Sequence, residues 1–175
     1  MLSFDTFVVQ KSITNHKSHN SYTKIFCCLL ILFVVQKNTI MTKTYLKDLT
    51  YKINGACIEV HKILGPGLLE SVYHKCLKRE LILRGLRYES EFTIPVHYKG
   101  IDIEAELRCD LLIENTIVVE LKAVDAILPI HQAQLLTYMK LLEKPKGMLV
   151  NFNVVNLYAE GQQTFVNEWF RNLAE

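Results

Sequence analysis

Residues 117–124 read Ile-Val-Val-Glu-Leu-Lys-Ala-Val, and no other run constrains this chain so tightly. Apolar residues fill both alternating sets of positions, as happens in a strand whose two faces are both covered. Such a strand belongs near the middle of a sheet, and a sheet covered on both sides implies a layered α/β domain. Glu120 and Lys122 stand two residues apart within it, so they share a face while Leu121 points to the other. Charged groups inside a buried strand need partners. The fold is therefore expected to bring other charged residues to this point.

The flanking segments supply the remaining layers. Leu46, Leu49, Ile53, Cys57, Val60 and Leu64 recur at three and four residues, which predicts an amphipathic helix stopped by Gly65-Pro66-Gly67. A second helix is expected from Leu68 to Arg84, with Leu69, Val72, Tyr73, Cys76 and Leu81 inward and Gly85 as its cap. The period then changes to two, and Phe92, Ile94, Val96 and Tyr98 predict one half-buried strand. Lys99-Gly100 turns the chain toward strands at 101–103 and 106–113, and Glu114-Asn115-Thr116 forms a hairpin turn. Pro129 suits the first turn of a helix running to Glu143. Met148–Asn153 reads as a buried strand and the stretch after Gln162 as a terminal helix. The order α-α-β-β-β-α-β-α describes a mixed central β-sheet flanked by helices.

Charge is informative once divided. Residues 1–40 hold four lysines against Asp5, or +3; the whole chain is +2, which leaves −1 for residues 41–175. A domain holding long nucleic acid by charge alone is normally basic, so contact here must rest on a local basic strip or a bound cation. The five cysteines form no C-x-x-C pair and are odd in number, which suits reduced thiols in a cytoplasmic protein and argues against a zinc site.

Residues 1–40 read as a separate extension, disordered or misassigned, ahead of a domain spanning 41–175. The apolar run Ile25–Val35 has eleven residues, short of the ~20 that cross a bilayer, and lacks the flanks of a signal peptide. No stable membrane association is expected, and Met41 reads as the natural start.

Parity decides whether Asp110 joins Glu120. If the turn has three residues, Ile113 pairs with Ile117 and Asp110 falls opposite Glu120; a two-residue turn sends the acids to opposite faces. Asn115 tolerates the left-handed conformation that the longer turn requires. Two carboxylates so placed repel each other unless something positive stands between them, and a Mg²⁺ or Mn²⁺ ion takes oxygen ligands of this kind. Lys122 beside such an ion would orient water or stabilise developing charge. Glu70, one turn from Tyr73 at the start of the second helix, gains from the helix N-terminus and is a further candidate acid. Gln134 and Tyr138 share a face of the later helix, either at its solvent boundary or reaching the mouth of the site. His61 and His74 read as packing residues, His97 as an exposed strand residue, and His131 as opening the later helix.

The stretch from Val60 to Tyr73, with Gly67-Leu68-Leu69-Glu70-Ser71-Val72-Tyr73 at its end, resembles the signature of the GxxExxY protein family. Asp110, then Glu120-Leu121-Lys122, then Gln134 to Tyr138 resembles that family's PD-(D/E)XK core, similar to RecB-like exonucleases with their Q-x-x-x-Y helix. The likeness covers residues 46–158 in order; Cys109 stands where the superfamily name has proline. It implies a restriction-endonuclease-like fold, with Glu70, Asp110 and Glu120 around Mg²⁺ or Mn²⁺ and Lys122 beside them. Gln134, Tyr138 and Tyr73 are then expected toward substrate. The implied activity is hydrolysis of nucleic-acid phosphodiester bonds, DNA first. The competing expectation is a nucleic-acid-binding or accessory module that keeps the fold without turnover, which the near-neutral charge favours.

Overall fold

Two helices open the described chain because their apolar stripes and their caps agree. The computed structural model describes residues 41–103 and 107–175. Helix α1 (Lys43–Leu64) starts where Thr42 Oγ1 accepts the Tyr45 amide at 3.1 Å, and its expected apolar stripe is buried from Leu46 to Val60. It stops at Gly65, whose φ of 68° lets the chain reverse. Helix α2 (Glu70–Leu83) closes in a Schellman motif: Leu86 N–H donates to Leu81 O at 2.9 Å and Gly85 N–H to Ile82 O at 3.0 Å. Gly85, at φ 69°, makes that closure possible.

The strands that follow are β1 (Tyr88–Thr93), β2 (Val96–Tyr98), β3 (Ile101–Ile103), β4 (Arg108–Ile113) and β5 (Ile117–Lys122). Helix α3 (Pro129–Leu141), β6 (Lys146–Asn151), a short α4 (Leu157–Glu160), β7 (Gln162–Val166) and a short α5 (Glu168–Arg171) complete the chain. Five strands form one sheet in the order β1-β4-β5-β6-β7, with β5 in the centre as its composition requires. Only the β5–β6 pair is parallel. The helix between them supplies the crossover that parallel strands need. The mixed α/β architecture expected from the sequence is the one observed.

The β4–β5 turn contains three residues, and Ile113 pairs with Ile117. Glu114 and Asn115 both have positive φ, 51° and 52°. For glutamate this is unusual, and Arg87 holds it there: its guanidinium donates to Glu114 Oε2 at 2.7 and 3.0 Å and its amide to Oε1 at 2.8 Å.

Each face of the sheet has its own core. Leu111, Ile113, Val119, Leu121, Met148 and Val150 pack against α1 and α2, while Leu112, Val118 and Leu149 meet Leu135, Tyr138 and Met139 of α3. Fully burying each such side chain contributes roughly 1.5–3 kcal/mol. Helix α3 comes so close to β6 that a Cβ on Gly147 would lie 2.6 Å from Met139 Sδ and 2.9 Å from Leu135 Cδ1. Gly147→Ala is expected to cost about 1–3 kcal/mol in urea denaturation through this overpacking. An unchanged midpoint would show that the helix has room to shift.

Three expectations need correction. The alternation from Phe92 to Tyr98 is not one strand: β1 runs earlier, from Tyr88, and ends before Ile94-Pro95. Proline has no amide proton for the ladder, so the chain bends and Val96–Tyr98 pairs with Ile101–Ile103 in a separate hairpin. Residues 162–166 form a strand rather than a helix, because β6 is buried along its length and its open edge must be hydrogen-bonded. Leu69, expected inward, is exposed just ahead of α2. The expectations for residues 1–40, and for a strand starting at Glu106, fall outside the described residues. Among the described residues no helix is long and apolar enough to cross a membrane.

Candidate metal centre

Strands β4 and β5 part where the acids stand. Their pairing ends at Leu111–Val119, and one further step of the same register sets Asp110 across from Glu120. The Leu121 amide is met by Asp110 Oδ2 at 2.8 Å, so a carboxylate takes a place that a strand carbonyl would otherwise fill. Glu120 shares the face of Val118 by alternation and is 2% exposed. Its Oε1 accepts from Lys122 Nζ at 2.8 Å, whereas its Oε2 is buried with no partner. Glu70 is exposed at the start of α2, close enough to Lys122 and Asp110 to feel their charges.

Electrostatics show that these groups act on one another. Burial pushes the Glu120 carboxyl up to about 7; Asp110 and Glu70 add to the shift and Lys122 opposes it. Asp110 is raised by burial against the pull of the Leu121 amide and Lys122. Glu70 is raised by partial withdrawal from water and by Asp110, despite Lys122. For Lys122, burial works against the charge, but the bond to Glu120 and the three nearby acids outweigh it and the pKa rises. Lys122 bonds Glu120, while Asp110 and Glu70 act on it through charge.

Residues that the sequence reading left in the background complete the frame. His74 Nε2 lies 3.2 Å from the Asp110 carbonyl and 3.2 Å from Ser90 Oγ, tying α2 to the strand that carries Asp110. Asn151, buried at the end of β6, receives the Val124 amide on Oδ1 at 3.1 Å and donates from Nδ2 to the Val124 carbonyl at 2.8 Å. It thereby braces the chain just beyond Lys122. An asparagine within an apolar strand was its one sequence signal.

Tyr73 does not face the site. It is fully buried and stacked on Phe152 at 4.6 Å between ring centroids. Its hydroxyl donates to Gly65 O at 2.6 Å and accepts from Leu68 N–H at 3.1 Å, so it holds the loop that presents Glu70. Tyr73→Phe would leave two backbone groups unserved and is expected to cost about 1–3 kcal/mol in a urea titration. Equal stability of the variant would mean that water replaces the hydroxyl. Gln134 Nε2 donates to Tyr138 OH at 2.8 Å, and Tyr138 is buried in the α3 core rather than at the solvent boundary. His61 meets the Val154 carbonyl at 2.8 Å, and His131 Nδ1 accepts the Leu128 amide at 3.2 Å, capping α3. His97 is exposed and paired with Asp102. The described cysteines, Cys57, Cys76 and Cys109, are free thiols.

A model of the PD-(D/E)XK nuclease superfamily matches residues 47–164, well over half of the chain. The chain belongs to the PD-(D/E)XK nuclease superfamily. Neither the comparison with curated proteins nor that with solved structures gives a match. PD-(D/E)XK nucleases generally use divalent metal ions, and the superfamily's fold implies nucleic-acid binding. The donors here suit such an ion, being hard carboxylate oxygens with an excess of negative charge. The buried, unpartnered Glu120 Oε2 fits the same purpose. Among the described residues no three side chains of metal-ligating type are grouped closely enough to hold an ion, and Glu120 and Asp110 are engaged with Lys122 and the Leu121 amide. Binding an ion would require exchanging those partners.

Proposed function

We propose that this PD-(D/E)XK chain is a divalent-metal-dependent nuclease that hydrolyses phosphodiester bonds of DNA in the cytoplasm, within the GxxExxY, RecB-like branch. The observation that carries the reading is the buried Glu120–Lys122 pair, with Asp110 bonded to the amide of the intervening Leu121 and one buried Glu120 oxygen lacking any partner. Mg²⁺ or Mn²⁺ would be held by Glu70, Asp110 and Glu120. Such an ion, when bound, supplies positive charge at the phosphoryl oxygen and acidifies a water. Lys122 then directs its ammonium toward the reacting phosphate, where negative charge develops. Asp110 keeps its place through the Leu121 amide, and Asn151 fixes the chain that follows Lys122. Gln134, which is bonded to the Tyr138 hydroxyl, is the member of that pair that would reach toward substrate.

The test is purified chain with labelled single- and double-stranded DNA and RNA, in Mn²⁺ and in EDTA. Cleavage of DNA is expected in Mn²⁺ alone, and Asp110→Asn is expected to lower it by about 10²–10³-fold. Cleavage that persists in the variant would identify a contaminating enzyme. The balance of −1 over residues 41–175 favours a second reading, an accessory module that binds without turnover, and absence of cleavage on every substrate would select it.

A further inference from the structure

Asp110 is paired in neither of the ladders beside it. On the β1 side the pairing runs Glu89–Leu112, Ser90–Leu111 and Phe92–Cys109, passing over Glu91 and Asp110. Glu91 has a φ of 52°, outside the β region, and the ladder is interrupted there. On the β5 side the pairing has already ended at Leu111–Val119. Where the sheet does not hold a residue, side chains must. The Asp110 carboxylate on the Leu121 amide is one such hold.

His74 supplies the other. Its Nε2 lies 3.2 Å from the Asp110 carbonyl and 3.2 Å from Ser90 Oγ. A carbonyl oxygen only accepts, so the proton sits on Nε2 and that nitrogen has no lone pair for a cation. The same imidazole stands one turn beyond Glu70 on α2, where residues four apart share a face. Burial raises the carboxyls of Glu70 and Asp110, and His74 is among the groups that oppose the rise for each, so its ring lies near both. Resting on the reading of these acids as a metal site, we propose that His74 is a positioning residue. By gripping the Asp110 carbonyl from α2 it fixes Asp110 and Glu70 relative to each other, and so sets the affinity of the site for a divalent cation without ligating it. An Asp110 carboxylate that leaves the Leu121 amide for a cation still has its backbone held by His74.

The test is Mn²⁺ binding to the full chain without nucleic acid, read by electron paramagnetic resonance so that turnover plays no part. His74→Ala is expected to weaken binding by roughly 10–100-fold, as loss of a group that orients a ligand commonly does. His74→Gln, whose amide nitrogen can donate to the same carbonyl, should stay within about threefold of the parent. The spin-echo spectrum of Mn²⁺ on the parent should show no directly bound nitrogen, which separates a positioning residue from a ligand. A cycle with Glu70→Gln adds a readout that general loosening would not move. His74→Ala should cost clearly less in that background, because one of the two acids it aligns is already gone. Circular dichroism checks folding, and if His74→Ala unfolds, the Gln variant and the parent's spin-echo spectrum decide. A folded His74→Ala that binds Mn²⁺ as the parent does, a folded Gln variant that binds 10-fold or more weaker, additive costs in the cycle, or nitrogen bound to Mn²⁺ would each overturn the proposal and leave the metal-site reading standing. A parent that takes up no Mn²⁺ would defeat the metal-site reading itself, and this proposal with it.

Discussion

Lys122→Ala is expected to reduce metal-dependent cleavage by about 10²–10³-fold, measured as initial rate at saturating Mn²⁺. The ammonium is paired with Glu120, and its pKa is raised, so it stays charged across the working range. Arginine should not restore the rate, because a planar fork cannot replace a compact point charge. Stability should respond in a pH-dependent way. Removing the partner of a buried charge commonly costs 3–5 kcal/mol. Glu120, however, already sits at about 7 and escapes that cost by taking up a proton. The variant should therefore be close to the parent in stability at pH 6 and clearly weaker at pH 8. Cleavage within a few-fold of the parent would remove Lys122 from the chemistry.

Stability of the metal-free protein should fall as pH rises from about 4.5 to about 7. The Glu120 carboxyl moves from an ordinary 4.5 to about 7 on folding, chiefly because it is buried. Between those values the folded chain holds a proton that the unfolded chain has released, so each step upward in pH favours unfolding. Taken alone this amounts to about 3 kcal/mol across the interval. Asp110 and Glu70 are raised too and act in the same direction. Lys122 remains charged throughout and leaves the slope unchanged. Glu120→Gln should flatten the profile and raise stability at pH 8 while abolishing cleavage. Mn²⁺ should oppose the loss, since ions bind deprotonated carboxylates. At a hundredfold excess over its dissociation constant an ion adds about 2.7 kcal/mol, and this gain should appear at pH 8 and shrink at pH 5.5. Urea titrations at several pH values, with and without Mn²⁺, would read both effects. A metal-free profile that climbs toward pH 8 would contradict the buried, uncompensated Glu120.

Local pattern carried much of the fold. The stripe from Leu46 to Val60, the closure at Gly85 and the doubly apolar strand each depend on residues close in the chain; the first two stand as expected, and the strand expected over 117–124 ends at Lys122. The sequence left a two-residue and a three-residue turn open, with parity setting the consequence of each, and the structure adopts the three-residue turn. One failure depended on a distant neighbour and the other on a proline beside the strand itself. β7 exists because β6 needed an edge partner, and a proline moved β2 out of the main sheet.

The sequence by itself determined a central buried strand carrying Glu120 and Lys122 and the α/β layering around it, while the structure chose the turn length that brings Asp110 beside them. Only the tertiary structure decided that Tyr73 serves the loop and that His74 and Asn151 brace the site. It alone left one oxygen of Glu120 without a partner. The physical reason is range. Periodicity acts over a few residues, whereas His74 meets Asp110 across 36 positions and Asn151 meets Val124 across 27, distances that packing alone can close.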